Sequence, residues 1–318
     1  MKTIPVNPTV SLVLSSGGAR GLIHIGVIEW LISNGFIIKS IAGSSIGALI
    51  GGIYATGKLD LYTQWVTSLK KLDMVRLLDI SYRRNCLFKG DRVIHVLREM
   101  IGEHYIEDLS ITYTAVTTDM HEQKELWLNT GALFDAIRAS TAIPGIFSPH
   151  NYLGRQLIDG SLVNPAPIAA TLHDTTDITI VVDLNGESLR DTHTEMEFQT
   201  DERSMSERFP SFFSKSNTPK QTNQSLFDVI ISSMETMQNT ISRLQLAVKT
   251  ADVTIKIPVD TCSFYEFYRA KEMIDLGKQK AAEALSTKRI NEIDDKLIHY
   301  DGYQQTNQNQ ILSSLTQY

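Results

Sequence analysis

Along the chain, short apolar runs that end on small residues alternate with longer stretches whose apolar positions recur at helical spacing. Val10 to Leu14 is such a run, closed by Ser15-Ser16-Gly17-Gly18, and predicts a buried strand. Leu22 to Ser33 follows with Leu22, Ile25, Val27, Ile28 and Leu31 apolar, and predicts a helix. Ile37 to Ala42 predicts a second strand, and Ile46 to Ala55 a helix of small and apolar residues. This alternation belongs to a parallel sheet covered by helices. Further strands are predicted at Thr112 to Thr118, Glu125 to Asn129, Gln156 to Ile158 and Ile178 to Leu184.

The pattern breaks at Gly186 to Gln224, which is rich in Ser, Thr, Glu, Asp and Asn and has little periodicity. It reads as a polar, flexible insertion. Beyond it, Phe227, Ile230, Ile231, Met234, Met237, Ile241, Leu244 and Val248 repeat at helical spacing, and this face is expected to pack on the sheet rather than on a membrane. Asp252 to Val259 predicts a strand and Tyr265 to Ala284 a helix. A strand in that place needs neighbours, so the chain should return to the first sheet. Residues 1–300 are thus expected to form one α/β domain interrupted at about 186–224, with 301–318 a frayed tail dominated by Gln and Asn.

Composition narrows this reading without redirecting it. The chain has 318 residues, 42% hydrophobic and 21% charged, which is ordinary for a globular protein. A net charge of −6 provides no general attraction to nucleic acid. Met1 to Pro8 leads into an apolar run too short for a signal peptide, and no run approaches the roughly 20 residues that cross a bilayer. Cys86 and Cys262 form neither a disulfide framework nor a metal-spaced cluster. A reduced, cytoplasmic protein with no metal and no organic cofactor is expected.

Three short motifs carry chemistry. The first is Gly43-Ser44-Ser45-Ile46-Gly47, where glycines on either side of Ser45 permit a sharp strand-to-helix turn. The following helix would direct its amides and positive dipole end toward an oxyanion beside Ser45. Its plain alternative is a glycine-rich turn that starts a close-packed helix. The second is Ser16-Gly17-Gly18-Ala19-Arg20-Gly21, which lacks the first glycine of a dinucleotide fingerprint and the Gly-Lys-Ser/Thr of a P-loop. Backbone amides at Gly17 and Gly18 suffice for an oxyanion hole. The third is Asp159-Gly160-Ser161, by default a turn, and otherwise a carboxylate at a strand end that could take the Ser45 proton. His173, His193 and His299 follow Asp159 and could complete a triad in order. Yet Ser45 follows only the second strand, earlier than in an α/β-hydrolase, and His24 reads as a packing residue, so a Ser–Asp pair fits better.

Together, Gly17 to Gly21, Gly43-x-Ser45-x-Gly47 and Asp159-Gly160 resemble the patatin-like phospholipases. The resemblance extends to Arg138-Ala139-Ser140-Thr141-Ala142-Ile143-Pro144, to Phe147 and Pro149, and to Asn164-Pro165. Glu125-Leu126-Trp127 and Phe267 to Gly277 are similar to the bacterial RssA-type branch, which is related to neuropathy target esterase catalytic domains. It covers residues 10–185 strongly and 225–285 more weakly. It implies a three-layer α/β/α sandwich around a mostly parallel mixed sheet. It also implies a serine hydrolase that cleaves phospholipid or lysophospholipid esters through an acyl-serine, without cofactor or metal. Ser45 would be the nucleophile, Asp159 the base, and Gly17 and Gly18 the oxyanion-hole donors. Ala19, Arg20, Gly21, Gly43, Gly47 and Gly160 would support them, with Arg20 either ordering its loop or facing an anionic headgroup.

Two residues depart from the family pattern. Ser16 replaces a leading glycine, and Ser161 stands where Gly or Ala is usual, with a hydroxyl that could bond Asp159 and lower its basicity. Ile143 to Phe147 would be either a wall of the substrate cleft or an ordinary buried loop. Arg83 to Lys89 would be a lip on an anionic lipid surface or a solvated loop. The lip reading would place the protein peripherally at the inner membrane surface. Two other readings stay open at this stage, a lipid acyltransferase and a non-catalytic regulatory protein that keeps the fold. The latter predicts Ser45 and Asp159 beyond hydrogen-bond reach.

Overall fold

The apolar run near the start forms β1 (Thr9–Leu14), buried at every position but its first. The computed structural model describes residues 7–77, 79, 86–188, 226–248 and 251–286. A 3-10 turn, Gly18–Leu22, leads into α1 (Ile23–Ser33), then β2 (Ile37–Ser44) and α2 (Ile46–Ala55). Next come α3 (Leu59–Ser68), α4 (Lys71–Leu77), β3 (Cys86–Phe88), α5 (Asp91–Ile101), β4 (Thr112–Asp119), β5 (Lys124–Leu128) and α6 (Leu133–Ser140). The chain continues through β6 (Gly145–Phe147), β7 (His150–Tyr152), β8 (Arg155–Asp159) and β9 (Ile178–Gly186). A long helix, Leu226–Val248, precedes β10 (Val253–Pro258), and a last helix occupies 270–286.

The main sheet has eight strands. β10, β9, β1, β2 and β4 pair in that order, all parallel, while β5 and β8 run antiparallel to β4 and β7 pairs antiparallel with β8. The expected return of the chain to the first sheet is met by β10, which pairs with β9. Alternation along β1 divides the core between two layers. Leu12 and Leu14 face the larger cluster with α1 and α2, whereas Val13 packs with Ile168 and Val181 against Leu246 of the long helix. Helices therefore cover both faces, as a three-layer α/β sandwich requires.

One register detail positions the site. β4 carries β5 along one edge from Ala115 to Asp119. Its other edge is shared: β2 runs parallel to it as far as Ser44 opposite Val116, and β8 runs antiparallel with Asp159 opposite Thr117. The C-terminal ends of β2 and β8 thus meet head to head across one residue step of β4.

Two expectations need correction. The helix expected from Tyr265 begins at residue 270, after a 3-10 turn Phe267–Arg269; the carbonyls of Cys262 and Phe264 just before it accept from Arg20 and Ala19 of the turn that precedes α1. On the long helix, Met234, Gln238 and Ser242 are the buried positions, while Ile230, Met237, Leu244 and Val248 are exposed. The sheet below that helix presents polar groups, so a partly polar face docks there and much of the apolar stripe turns outward. The polar insertion from residue 189 onward, Arg83 to Asn85 and the tail at 301–318 lie outside the described residues.

Helix 270–286 crosses α1 backbone against backbone. A Cβ on Gly26 would lie 1.9 Å from the Ile274 carbonyl oxygen, and one on Gly277 would lie 2.2 Å from that of Ile23. Gly26→Ala is therefore expected to lower stability by about 2–3 kcal/mol through overpacking. Urea unfolding would show this as a reduced midpoint with an unchanged slope.

Candidate active site

Ser45 stands alone between β2 and α2 with φ 55° and ψ −122°, a conformation that side chains other than glycine rarely adopt. Such strain costs about 1–3 kcal/mol and persists only where surrounding contacts impose it. Here they do. The Ser45 amide donates to Ser140 Oγ at 3.0 Å, and that hydroxyl donates in turn to the Val116 carbonyl at 2.6 Å. A Cβ on Gly43 would fall 2.4 Å from the Gly47 backbone, and one on Gly47 only 2.1 Å from the Leu14 carbonyl oxygen. Both glycines of the pentapeptide are thus needed for close approach. The turn that results leaves Ser45 5% exposed.

Across the shared edge of β4, Ser45 Oγ donates to Asp159 Oδ2 at 2.6 Å. The other carboxylate oxygen accepts the Ser161 amide at 2.8 Å. The backbone of Asp159 is clamped as well, its amide donating to the Ala142 carbonyl and its carbonyl accepting from Thr118 Oγ1. Gly160 fits against the Val116 carbonyl, where a Cβ would lie at 2.1 Å. Complete burial raises the Asp159 pKa from 3.8 to about 6, against opposing hydrogen bonds from Ser45 and Ser161. That value suits a general base near neutral pH better than an exposed aspartate would.

The glycine loop before α1 is pinned on both sides of its two central amides. Ser16 N donates to the Pro165 carbonyl at 2.9 Å, and Ala19 N to the Phe264 carbonyl at 2.8 Å. Among the described residues, the amides of Gly17 and Gly18 make no such bond. Gly18 has φ +55°, and Gly21 abuts Ile46, the residue after Ser45. Arg20 is buried: its guanidinium donates to the carbonyls of Val259 and Cys262 and pairs with Glu235 at 3.2 Å. These bonds tie the glycine loop to the segment after β10 and to the long helix. His24 Nε2 donates to the Ser15 carbonyl at 2.8 Å, and burial depresses its pKa to about 4, so the ring is neutral.

His173 is exposed, and His193 and His299 lie outside the described residues. Among the described residues no histidine bonds Ser45 or Asp159, and no cluster of His, Cys, Asp and Glu is placed to hold a metal ion. Ile143 and Ile146 belong to a small apolar cluster with Met234, joined by Phe147, Leu162 and Phe264. Several of its members are chain neighbours of site groups: Ile143 follows Ala142, and Leu162 follows Ser161. Phe264 also covers Gly18.

Ser140 and Ala142 received no role from the sequence, although both lie in the run from Arg138 to Pro144. One holds the backbone of Ser45 and the other that of Asp159. Gln238, which bonds the Ser16 and Ser161 hydroxyls from the long helix, likewise received no role from the sequence. The available signal was the i, i+4 pair of polar residues, Gln238 and Ser242, inside an otherwise apolar helical repeat.

Comparison with known proteins shows the family to which the chain is similar. The patatin-like phospholipase family model matches residues 12–172. An uncharacterized NTE family protein of Mycobacterium tuberculosis is 34% identical over 337 residues, covering 90% of this chain and 94% of that protein. Patatin-like phospholipase domain-containing protein 6 of Homo sapiens is 33% identical over 183 residues, covering 55% of this chain and 13% of that one. Lysophospholipase NTE1 of Yarrowia lipolytica is 31% identical over 192 residues, covering 58% and 13% respectively.

Two stability measurements test the strain and the buried carboxylate. Ser45→Gly and Ser45→Ala both lose the hydroxyl, but only alanine keeps the strain, so the glycine variant should be more stable by about 1 kcal/mol in denaturant. For Asp159 the folded pKa exceeds the unfolded one, so the native state binds more protons and wild-type stability falls as pH rises from about 4 to about 6. Asp159→Asn should exceed wild type at pH 7 by on the order of 2 kcal/mol, a gap that closes as pH falls through this window.

Proposed function

The chain belongs to the patatin-like phospholipase family, and we propose that it is a serine acyl hydrolase that cleaves phospholipid or lysophospholipid carboxyl esters with Ser45 and Asp159. The observation that carries this reading is the 2.6 Å hydrogen bond from Ser45 Oγ to Asp159 Oδ2, across a turn strained at the serine. Family membership supports lipid ester hydrolysis in general, and the names of the human and Yarrowia relatives point in the same direction.

In the proposed reaction, Asp159 takes the Ser45 proton as Oγ attacks the ester carbonyl carbon. The negative charge that collects on the carbonyl oxygen is met by the Gly17 and Gly18 amides, held in place by the bonds of the flanking Ser16 and Ala19 amides to the Pro165 and Phe264 carbonyls. The Ser45 amide is committed to Ser140 and contributes nothing there. The protonated Asp159 gives its proton to the departing alkoxide, and the acyl group stays on Ser45. Asp159 then takes a proton from water, whose oxygen attacks the acyl-serine, and returns it to Ser45 Oγ as the fatty acid leaves. The cluster of Ile143, Ile146, Phe147, Met234, Leu162 and Phe264 would receive the acyl chain. Ile230, Met237 and Leu244, exposed on the helix that supplies Met234, support peripheral contact with a lipid surface.

A fluorophosphonate probe should label the protein, and Ser45→Ala should abolish labelling. Persistent labelling in that variant would refute the assignment. With p-nitrophenyl butyrate, kcat/KM should fall below about pH 6 as Asp159 becomes protonated. A panel of lysophospholipids and diacyl phospholipids, run beside Ser45→Ala, then identifies the preferred ester.

A further inference from the structure

Ser16 precedes the glycine loop and Ser161 follows Asp159-Gly160, and in the fold both end on one side chain. Gln238, 8% exposed on the long helix, donates from Nε2 to Ser161 Oγ at 2.9 Å and accepts at Oε1 from Ser16 Oγ at 3.4 Å. One amide therefore spans from the residue before the oxyanion donors to the residue two after Asp159. It reaches them from beyond the residues matched by the family model.

The chemistry of the amide gives this bridge a direction. An amide nitrogen only donates, so Ser161 Oγ accepts from Gln238 and its single proton is left to point elsewhere. The Ser161 backbone already donates to Asp159 Oδ1, and its hydroxyl, on the same residue, acts to lower the carboxylate's pKa. An amide oxygen only accepts, so the Ser16 hydroxyl is drawn toward the long helix. We propose that Gln238 is a positioning residue of the active site, orienting the Ser161 hydroxyl as a donor to Asp159 and tying the oxyanion loop to the base. This rests on the Ser45–Asp159 mechanism proposed above and deepens it.

The ionisable groups on the surrounding elements are engaged elsewhere. Arg20 pairs with Glu235, Asp183 accepts from Ser242, His24 holds the Ser15 carbonyl, and Glu125 accepts from Asn164. Lys256 on β10 acts on Asp183. The influences on Asp159 are burial and the serine hydrogen bonds, so a change in Ser161 orientation reaches the base directly.

The test is the second-order rate of fluorophosphonate acylation between pH 4 and 8, in variants shown to be folded by circular dichroism and thermal melting. Ser161→Ala removes a donor to the carboxylate and should move the acid limb upward by about one pH unit. Gln238→Leu should move it the same way by less. Gln238→Glu, isosteric and safe for packing, should move it furthest, because its carboxylate draws the Ser161 proton to itself and adds negative charge. In the Ser161→Ala background, Gln238→Leu should add no further shift, an outcome that a role in helix packing alone would not produce. An unmoved acid limb in Gln238→Glu, or an equal Gln238→Leu shift with and without the Ser161 hydroxyl, overturns the proposal. Ser45→Ala separates the two readings: labelling that survives it overturns the mechanism and this role together. An unmoved limb with labelling still dependent on Ser45 removes the role of Gln238 alone.

Discussion

Asp159 is a carboxylate taken wholly out of water and supported by hydrogen bonds from serines, and much of the site's architecture follows from keeping it there. Desolvation of an unpaired carboxylate is costly, and a protein commonly answers by raising the pKa until the group is neutral. Here the Ser45 and Ser161 donors hold the pKa to about 6. At neutral pH the group is therefore ionised, yet a far better proton acceptor than an aspartate in water. The same burial that costs the fold stability suits Asp159 to the role of base proposed for it.

Bringing that carboxylate to a serine is a problem of topology. A strand has two edges, and β4 gives one of them to two partners in succession. Because β2 is parallel to β4 and β8 antiparallel, their final residues face each other, and the elbow after β2 opens onto the end of β8. The junction is crowded around the Val116 carbonyl, which accepts from Ser140 and leaves room only for glycine at 160. The segment from Ser140 to Ala142 holds the backbone of both partners. The spacing between Ser45 and Asp159 is thus fixed by contacts to their backbones, from the hydroxyls of Ser140 and Thr118 and the carbonyl of Ala142.

The long helix closes the site from the other face of the sheet. Its inward residues are Met234, Gln238 and Ser242, and they meet an apolar cluster, the serines of the two loops and Asp183 in turn. A polar helix face is worth burying only where partners wait for it, and here the partners come from segments far apart in the chain. The outward apolar residues of the same helix are then left on the surface. One orientation of one helix accounts for both facts.

The sequence by itself determined what is local. Runs of apolar residues located β1, β2 and α2, with α2 bounded at Ile46 and Ala55 as expected, and the glycines around Ser45 announced a turn that only close backbone approach can use. Asp159 could be named because a strand end followed by glycine is a local signal. Tertiary structure alone decided that β8 reverses against β4, that Ser140 and Ala142 hold the pair together, and which face of the long helix is inside. It alone joined Gln238 to a serine 77 residues away. Periodicity reports burial averaged over a whole element, and the exposed Met237 beside buried Gln238 shows its limit. Where a polar side chain is buried, its partner lies on another segment, and no spacing along the chain encodes that distance.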